Sequence, residues 1–240
     1  VLLSHDHYDH LDFTTMRLLR RVNVPIVTSL GVGVHLEAFG IARVPATIFD
    51  GRVVHGWNPK ALAELVGVRY AEHKQLAPAE LALRMDAVLA ATQRAMRQIP
   101  REHLGMKKPG RDRSVHQLGF HVFRLSVSFV DTREQGYLSA DVFEEMAPAG
   151  MVDGEDIARY GDTVRARIAA YVKRPDWCEG TVDTYYGPQS TPAFMERTTW
   201  HAAQHLRQIY WFLEQMGVKA DAPLTDADLA GLPFPTEVWS

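Results

Sequence analysis

Apolar residues recur at steps of three and four through most of the chain after about residue 75, whereas before about Gly67 they fall in short runs broken by charged and turn residues. The first pattern is that of helices with one buried stripe, and the second that of short strands alternating with helices. In the first part, Val1-Leu2-Leu3 reads as a strand, Phe13 to Arg21 as a helix with Met16, Leu18 and Leu19 apolar, and Pro25-Ile26-Val27-Thr28 as a second strand. Gly31 to Ile41 reads as another helix, ended near Gly40. Ala46-Thr47-Ile48-Phe49 and Arg52-Val53-Val54 flank Asp50-Gly51, a pair that supplies the positive φ of a tight β-turn, so a hairpin is expected. Asn58 is placed to cap a further helix, with Pro59 at its first position and Lys60 to Val66 as its body.

After a charged connector around Arg69 to Gln75, four longer helices are expected. Pro78 to Ile99 is rich in Ala and Leu and is stopped by Pro100. Ser114 caps a second helix, in which Val115, Leu118, Val122, Leu125 and Phe129 form the stripe. Glu155 to Lys173 is the third, stopped by Pro175, and Thr191 to Met216 the fourth, with Pro192 in its first turn and Gly217 at its end. Four striped helices bury their apolar faces best against one another, as a bundle. The tail, Asp221 to Ser240, holds Leu232-Pro233-Phe234-Pro235 and Trp239 and is too apolar for a free linker, so it is expected to pack back on that bundle.

Composition narrows the function. A chain of 240 residues with 46% hydrophobic side chains has room for two small domains, and a formal net charge of -3 gives no electrostatic reason to expect nucleic acid or an anionic membrane. Small-molecule ligands are expected instead. A single cysteine, Cys178, cannot form an internal disulfide, and no apolar run approaches the ~20 residues of a membrane span, so a cytoplasmic location is expected. Val1-Leu2-Leu3-Ser4-His5 has neither a basic region nor a small-residue cleavage site and does not read as a signal peptide.

The chemistry is carried by histidines. His201 and His205 are one helical turn apart, roughly 6 Å, on the face that also carries Phe194, Thr198, Phe212 and Met216. His121, three residues after Leu118 and four before Leu125, also points inward. Ordinary hydrogen bonds in a core or at its rim are one way to satisfy these rings. A metal ion shared by all three is the other, since a buried unpaired nitrogen costs about 1–3 kcal/mol.

The stretch from Ser114 to His121, together with Thr199-Trp200-His201-Ala202-Ala203-Gln204-His205-Leu206-Arg207-Gln208, resembles the DinB-like family of metal-binding four-helix bundles. The likeness runs from about Gln75 to Ser240 and includes the Thr181 to Gly187 connector and the Leu-Pro-Phe-Pro tail. It implies His121, His201 and His205 as ligands of a divalent metal, zinc first, with nickel or manganese as alternatives. It also implies Gln204 and Arg207 as supporting or surface residues. Members of the family implied by this likeness include thiol-dependent transferases and isomerases.

At the other end, His5-Asp6-His7-Tyr8-Asp9-His10 matches the HxHxDH pattern and resembles the metallo-β-lactamase superfamily. That likeness implies His5 and His7 as ligands of one ion, Asp9 and His10 as ligands of a second, and a bridging water that loses its proton near neutral pH. Asp9 is the candidate catalytic base. The likeness fades by about Ile41, and from Glu37 through Val44-Pro45 to Asn58-Pro59 the chain resembles the second half of a glutaredoxin-like domain. The fold class expected is therefore α+β: a small thioredoxin-like α/β domain over residues 1–70, with Val44-Pro45 as its cis-proline, followed by an all-α four-helix bundle over 75–240. No cysteine stands where that fold places a redox pair, which removes thiol-disulfide exchange.

The remaining signals are weaker. His35, His55, His73, His103 and His116 stand alone, and Gly31-Val32-Gly33 lacks the rest of a dinucleotide fingerprint. Lys107-Lys108 and Arg111-Asp112-Arg113 read as a solvated loop that can meet an anionic substrate, and Cys178 beside Trp177 has no base to activate it. The reading that unites the two histidine sets is a metal-dependent hydrolase of activated esters (a phosphoester, a lactone or similar), working through a metal-bound hydroxide. A thiol-dependent transferase or isomerase and a non-catalytic metal-binding protein are the alternatives, and a homodimer is left open.

Overall fold

A computed structural model describes residues 2–3, 27–28, 46–49, 52–55, 58–70, 74–234 and 237–239. The chain divides into two compact units, one of residues 1–73 with 184–188 and one of 74–183 with 189–240.

In the first unit, β1 (Leu2–Leu3) pairs in parallel with β2 (Val27–Thr28). β3 (Ala46–Phe49) and β4 (Arg52–His55) form the antiparallel hairpin expected around Asp50-Gly51, with Phe49 opposite Arg52. Helix α1 (Pro59–Val66) starts as its sequence requires: the Asn58 side chain accepts a hydrogen bond from the Ala61 N–H at 3.0 Å, and Pro59 fills the first turn, where no amide is needed. It ends at Gly67, which takes the left-handed conformation at φ 72°. The expected helices at 13–21 and 31–41, the HxHxDH segment and the Val44-Pro45 bond lie outside the described residues.

The second unit is a four-helix bundle: α2 (Pro78–Gln98), α3 (Val115–Gln135), α4 (Gly154–Tyr171) and α5 (Thr191–Gln215). Three of the four start on a side-chain cap, in which Ser114, Asp153 and Ser190 accept from the amides of Gln117, Asp156 and Ala193. α2 starts on Pro78 without one. α4 stops at Tyr171, two residues before the expected end at Lys173, because the chain already turns there, the Arg174 N–H bonding the Tyr171 carbonyl at 3.1 Å.

Helices α2 and α3 each lie beside both α4 and α5, so the first two helices of the bundle stand diagonally across from each other. The core between them is filled by Leu81, Met85, Leu89 and Met96 of α2, Phe123 and Phe129 of α3, Ile157 of α4, and Met195, Leu206, Ile209, Phe212 and Leu213 of α5, each with under 2% of its surface exposed. Burying a side chain of this size contributes about 1.5–3 kcal/mol, so the shared core dominates the stability of the unit.

Close helix approach depends on two glycines of α4. A Cβ on Gly161 would stand 2.6 Å from the Phe123 ring and 2.9 Å from Gln93, and one on Gly154 would collide with the Met96 backbone carbonyl. Where α4 comes this close to α2, Gln93 bridges the two helices, its amide donating to the Ala158 carbonyl at 2.7 Å and to Asp162 at 2.6 Å.

A small sheet of order β5-β6-β7 closes one side. It is built from Tyr137–Leu138, Thr181–Thr184 and Gln189–Ser190, with Val182 opposite Gln189 in the β6–β7 pair. Part of the 181–187 connector is thus strand, and three fragments of two to four residues acquire partners only when the helices bring them together.

The tail returns along the bundle. Gln98 binds it from both amide atoms, to the Lys219 carbonyl and the Asp221 N–H, while Leu229 and Leu232 are buried. No described helix is long and apolar enough to cross a membrane.

Gly154→Ala is expected to destabilise the bundle by about 1–3 kcal/mol, since the obstacle is backbone and the helices must part to admit a methyl group. Gly150→Ala, where a Cβ meets nothing within 4 Å, is expected to leave stability nearly unchanged. Urea unfolding midpoints of the two variants check the contrast.

Candidate metal centre

The seam between α3 and α5 brings three imidazoles together. His121 comes from the second turn of α3, and His201 and His205 come from successive turns of α5 on the face that packs against α3. One ring nitrogen from each lies within 4.8 Å of the other two. The ring centroids are 5.9 Å apart for His121 and His201, 5.1 Å for His121 and His205, and 4.7 Å for His201 and His205.

His121 is buried and the other two are partly buried. Around them Phe143 stacks on His201 at 5.9 Å and meets His121 edge-on at 6.2 Å, while Trp200 stacks on His201 at 5.8 Å. Phe143 thus touches two of the three rings.

Burial governs the protonation of all three. Desolvation holds His121 and His201 far below the ordinary 6.5, and their imidazole neighbours and Arg113 add repulsion against a further positive charge. His205 is lowered to about 4, again chiefly by burial and against the opposing hydrogen bond to Gln208. At neutral pH the rings are therefore uncharged, and each offers a nitrogen lone pair.

The hydrogen bonds show which atoms are committed. His205 Nδ1 lies 2.7 Å from Gln208 Oε1, and Gln208 Nε2 donates to the Val238 carbonyl at 3.0 Å. An amide nitrogen spent on a carbonyl turns its oxygen toward the imidazole, so Nδ1 of His205 carries the proton and Nε2 keeps its lone pair. That Nε2 is buried with no partner, as is Nδ1 of His121. Orphaned ring nitrogens beside a third imidazole form a donor set that suits a divalent ion of the zinc class: three neutral nitrogen ligands with a further position left open.

Gln204 and Arg207, expected as supporting or surface residues, bond to each other and reach the tail. Gln204 is buried, donating to the carbonyls of Val238 at 2.8 Å and Glu237 at 3.3 Å and accepting from Arg207 at 2.8 Å, and Arg207 also lies over the Phe234 ring. The residue in contact with a site histidine is Gln208, three positions after His205 and so on the same helical face, a spacing visible in the sequence. Phe143, by contrast, comes from a short 3-10 turn with no pattern to mark it.

Cys178 is buried and its thiol is pushed up to about 11, which removes it as a nucleophile. His116 is partly buried, and its Nε2 has no partner among the described residues. His5, His7, Asp9 and His10 lie outside the described residues.

Comparison with known proteins divides along the same lines. The family described as the beta-lactamase superfamily domain matches residues 1–103, well past Ile41, where the sequence likeness was expected to fade. Uncharacterised proteins of Mycobacterium tuberculosis and Mycobacterium bovis are 40% identical over 62 residues, which is 25% of this chain and 15% of theirs. The chain thus spans only a small part of the length of the curated relatives it matches. Among solved structures, YfiT from Bacillus subtilis, "a probable metal-dependent hydrolase with an unusual four-helix bundle topology", is similar over 63% of this chain and 96% of its own, with a TM-score of 0.50 and 12% identity. A DinB-like protein of the same organism is similar over 60% of this chain and 96% of its own, at a TM-score of 0.49 and 16% identity. The second unit shares a four-helix-bundle fold with YfiT.

Because His205 binds its proton less readily in the folded than in the unfolded chain, the unfolded state takes up more protons between about 6.5 and about 4. The metal-free protein is therefore expected to hold its full stability above that window and to lose it as pH falls through it. Urea midpoints at pH 7.5 and pH 5 measure the loss, and His205→Gln is expected to reduce it.

Proposed function

We propose that this chain is a metal-dependent hydrolase of small activated esters, with one divalent metal, zinc first, held by His121, His201 and His205. The observation that carries the reading is the convergence of three uncharged imidazoles, two of which have buried nitrogens without a partner. Two further findings support it: the bundle is similar in fold to a protein described as a probable metal-dependent hydrolase, and the first 103 residues match a beta-lactamase superfamily domain.

A metal of this class with three histidine ligands supplies water whose pKa is brought to about 7, a nucleophile available without strong base. The chain's own residues set the conditions for it. Burial keeps the imidazoles unprotonated, Gln208 fixes the tautomer and ring orientation of His205, and Phe143 and Trp200 pack on the His201 ring. His5, His7 and His10 as further ligands, Asp9 as ligand and base, and a thioredoxin-like arrangement of residues 1–70 belong to the same proposal. So do a cytoplasmic location and a small-molecule substrate.

The test is hydrolysis of nitrophenyl esters and phosphoesters by the purified chain. Activity is expected to vanish with a chelator, to return with zinc or manganese, and to rise with pH through roughly 6–8 before levelling. His121→Ala and His201→Ala are each expected to abolish both metal retention and turnover. If both variants keep full activity while His7→Ala or Asp9→Asn removes it, the chemistry belongs to the amino-terminal cluster. A rate that requires added low-molecular-weight thiol makes the protein a transferase.

Gln208→Leu is expected to weaken metal retention roughly 10–100-fold without unfolding the bundle, because it leaves His205 free to turn. Competition with a chromogenic chelator reads this directly.

A further inference from the structure

The loop between α2 and α3 places an unpaired cation beside the histidines. It is closed on itself by a bridge between Lys107 and Ser114 and by the Val115 N–H bonding the Met106 carbonyl at 2.9 Å, and it carries Lys107, Lys108, Arg111 and Arg113. Arg113 is half-buried. Its Nη2 donates to the Phe143 carbonyl at 2.8 Å, and the Phe143 ring stacks on His201 and meets His121 edge-on. The guanidinium is thereby fixed to the residue that covers the cluster, and its charge is felt by all three imidazoles.

Arg111 and Lys108 are turned toward the tail, Arg111 donating to the Trp239 carbonyl at 3.3 Å and Lys108 lying 5.2 Å over the Trp239 ring. Among the described residues, no carboxylate lies within 4.0 Å of Arg113, Arg111, Lys108 or Lys107. Glu144 is the acidic group whose charge reaches Arg113, but it forms no ion pair with it. The Arg124 guanidinium, elsewhere on the same unit, is paired with both Asp131 and Glu145.

A half-buried guanidinium without a counter-ion is costly, and removal from water already weakens its hold on its proton. The donor set beside it worsens the balance, because three neutral imidazoles cancel none of the charge of a divalent ion. Both excesses are relieved by one anion. Arginine suits that role, since its planar fork presents paired donors to carboxylate and phosphate oxygens.

We propose that Arg113 forms an oxyanion subsite beside the three-histidine cluster that binds a carboxylate or phosphate group of the substrate. This deepens the hydrolase reading by naming an anionic substrate class, and it rests on that reading for its location next to a metal. The Arg113 Nη2 bond to Phe143 orients the guanidinium, leaving its remaining N–H groups for the anion.

The test is titration of the purified full chain with inorganic phosphate and, separately, acetate at constant ionic strength. Calorimetry follows the metal-free protein, and visible absorption follows the cobalt-loaded protein. Arg113→Gln is expected to weaken phosphate binding at least about 10-fold, as fits loss of a charged hydrogen-bonding partner. Arg113→Lys is expected to retain part of the affinity, and Arg101→Gln, which removes the same charge from an exposed turn, to bind like the parent.

Equal affinity in the parent and Arg113→Gln, or no binding of either anion in both forms, overturns the proposal. An equal loss in Arg101→Gln also overturns it, by showing a net-charge effect. Should Arg113→Gln fail to fold, the comparison of the parent with Arg113→Lys decides. Failure of the histidines to take up cobalt counts against the metal reading alone, and the metal-free titration then decides whether Arg113 binds an anion.

Discussion

Packing of α5 against both α2 and α3 is the constraint on which the rest of the second unit depends. One helix supplies much of the core, through Met195, Leu206, Ile209, Phe212 and Leu213, and also two of the three site histidines. An α-helix repeats every 3.6 residues, so a face that is continuously buried must hold any polar group it carries in a fixed place. His201 and His205 therefore meet His121 at a spacing set by the packing of the whole seam rather than by local loops.

The polar contacts around the cluster extend that rigidity outward. Gln208 links His205 to the Val238 carbonyl, and Gln204 holds the same carbonyl from one turn earlier. Trp239 packs edge-on against Trp211 and Phe212 at 5.3 and 5.7 Å. The tail is thus tied by hydrogen bonds and aromatic packing to the helix that carries the ligands. The orientation of one imidazole depends on a segment some 30 residues further along the chain.

Uncharged histidines and an unpaired arginine together define the electrostatic character of the site. Several other guanidinium groups of the bundle are paired with carboxylates, Arg165 with Asp86, Arg167 with Asp131 and Glu134, Arg97 with Glu155, while Arg133 bonds the Tyr171 and Thr191 hydroxyls and the Asp176 carbonyl. Exposed pairs of this kind contribute little to stability individually, about 0–1 kcal/mol. Arg113, which among the described residues has no carboxylate partner, is set apart by its place, bonded to the residue whose ring meets the cluster.

The four helices and their limits were legible in the residues themselves, because amphipathic periodicity and caps are local. Ser114, the Pro192 turn and Gly217 act within a few residues of their own position, as do Asn58 and Gly67 in the first unit. The inward direction of His121, His201 and His205 was legible for the same reason, each being in phase with an apolar stripe. What the periodicity cannot hold is which stripe faces which. The diagonal placement of α2 and α3, the three-stranded sheet, the stacking of Phe143 on His201, the Gln208 bridge to Val238 and the Arg113 bond to the Phe143 carbonyl all join residues far apart in the chain. Those contacts follow from burying the apolar surface of four helices at once, and only the assembled tertiary structure decides them.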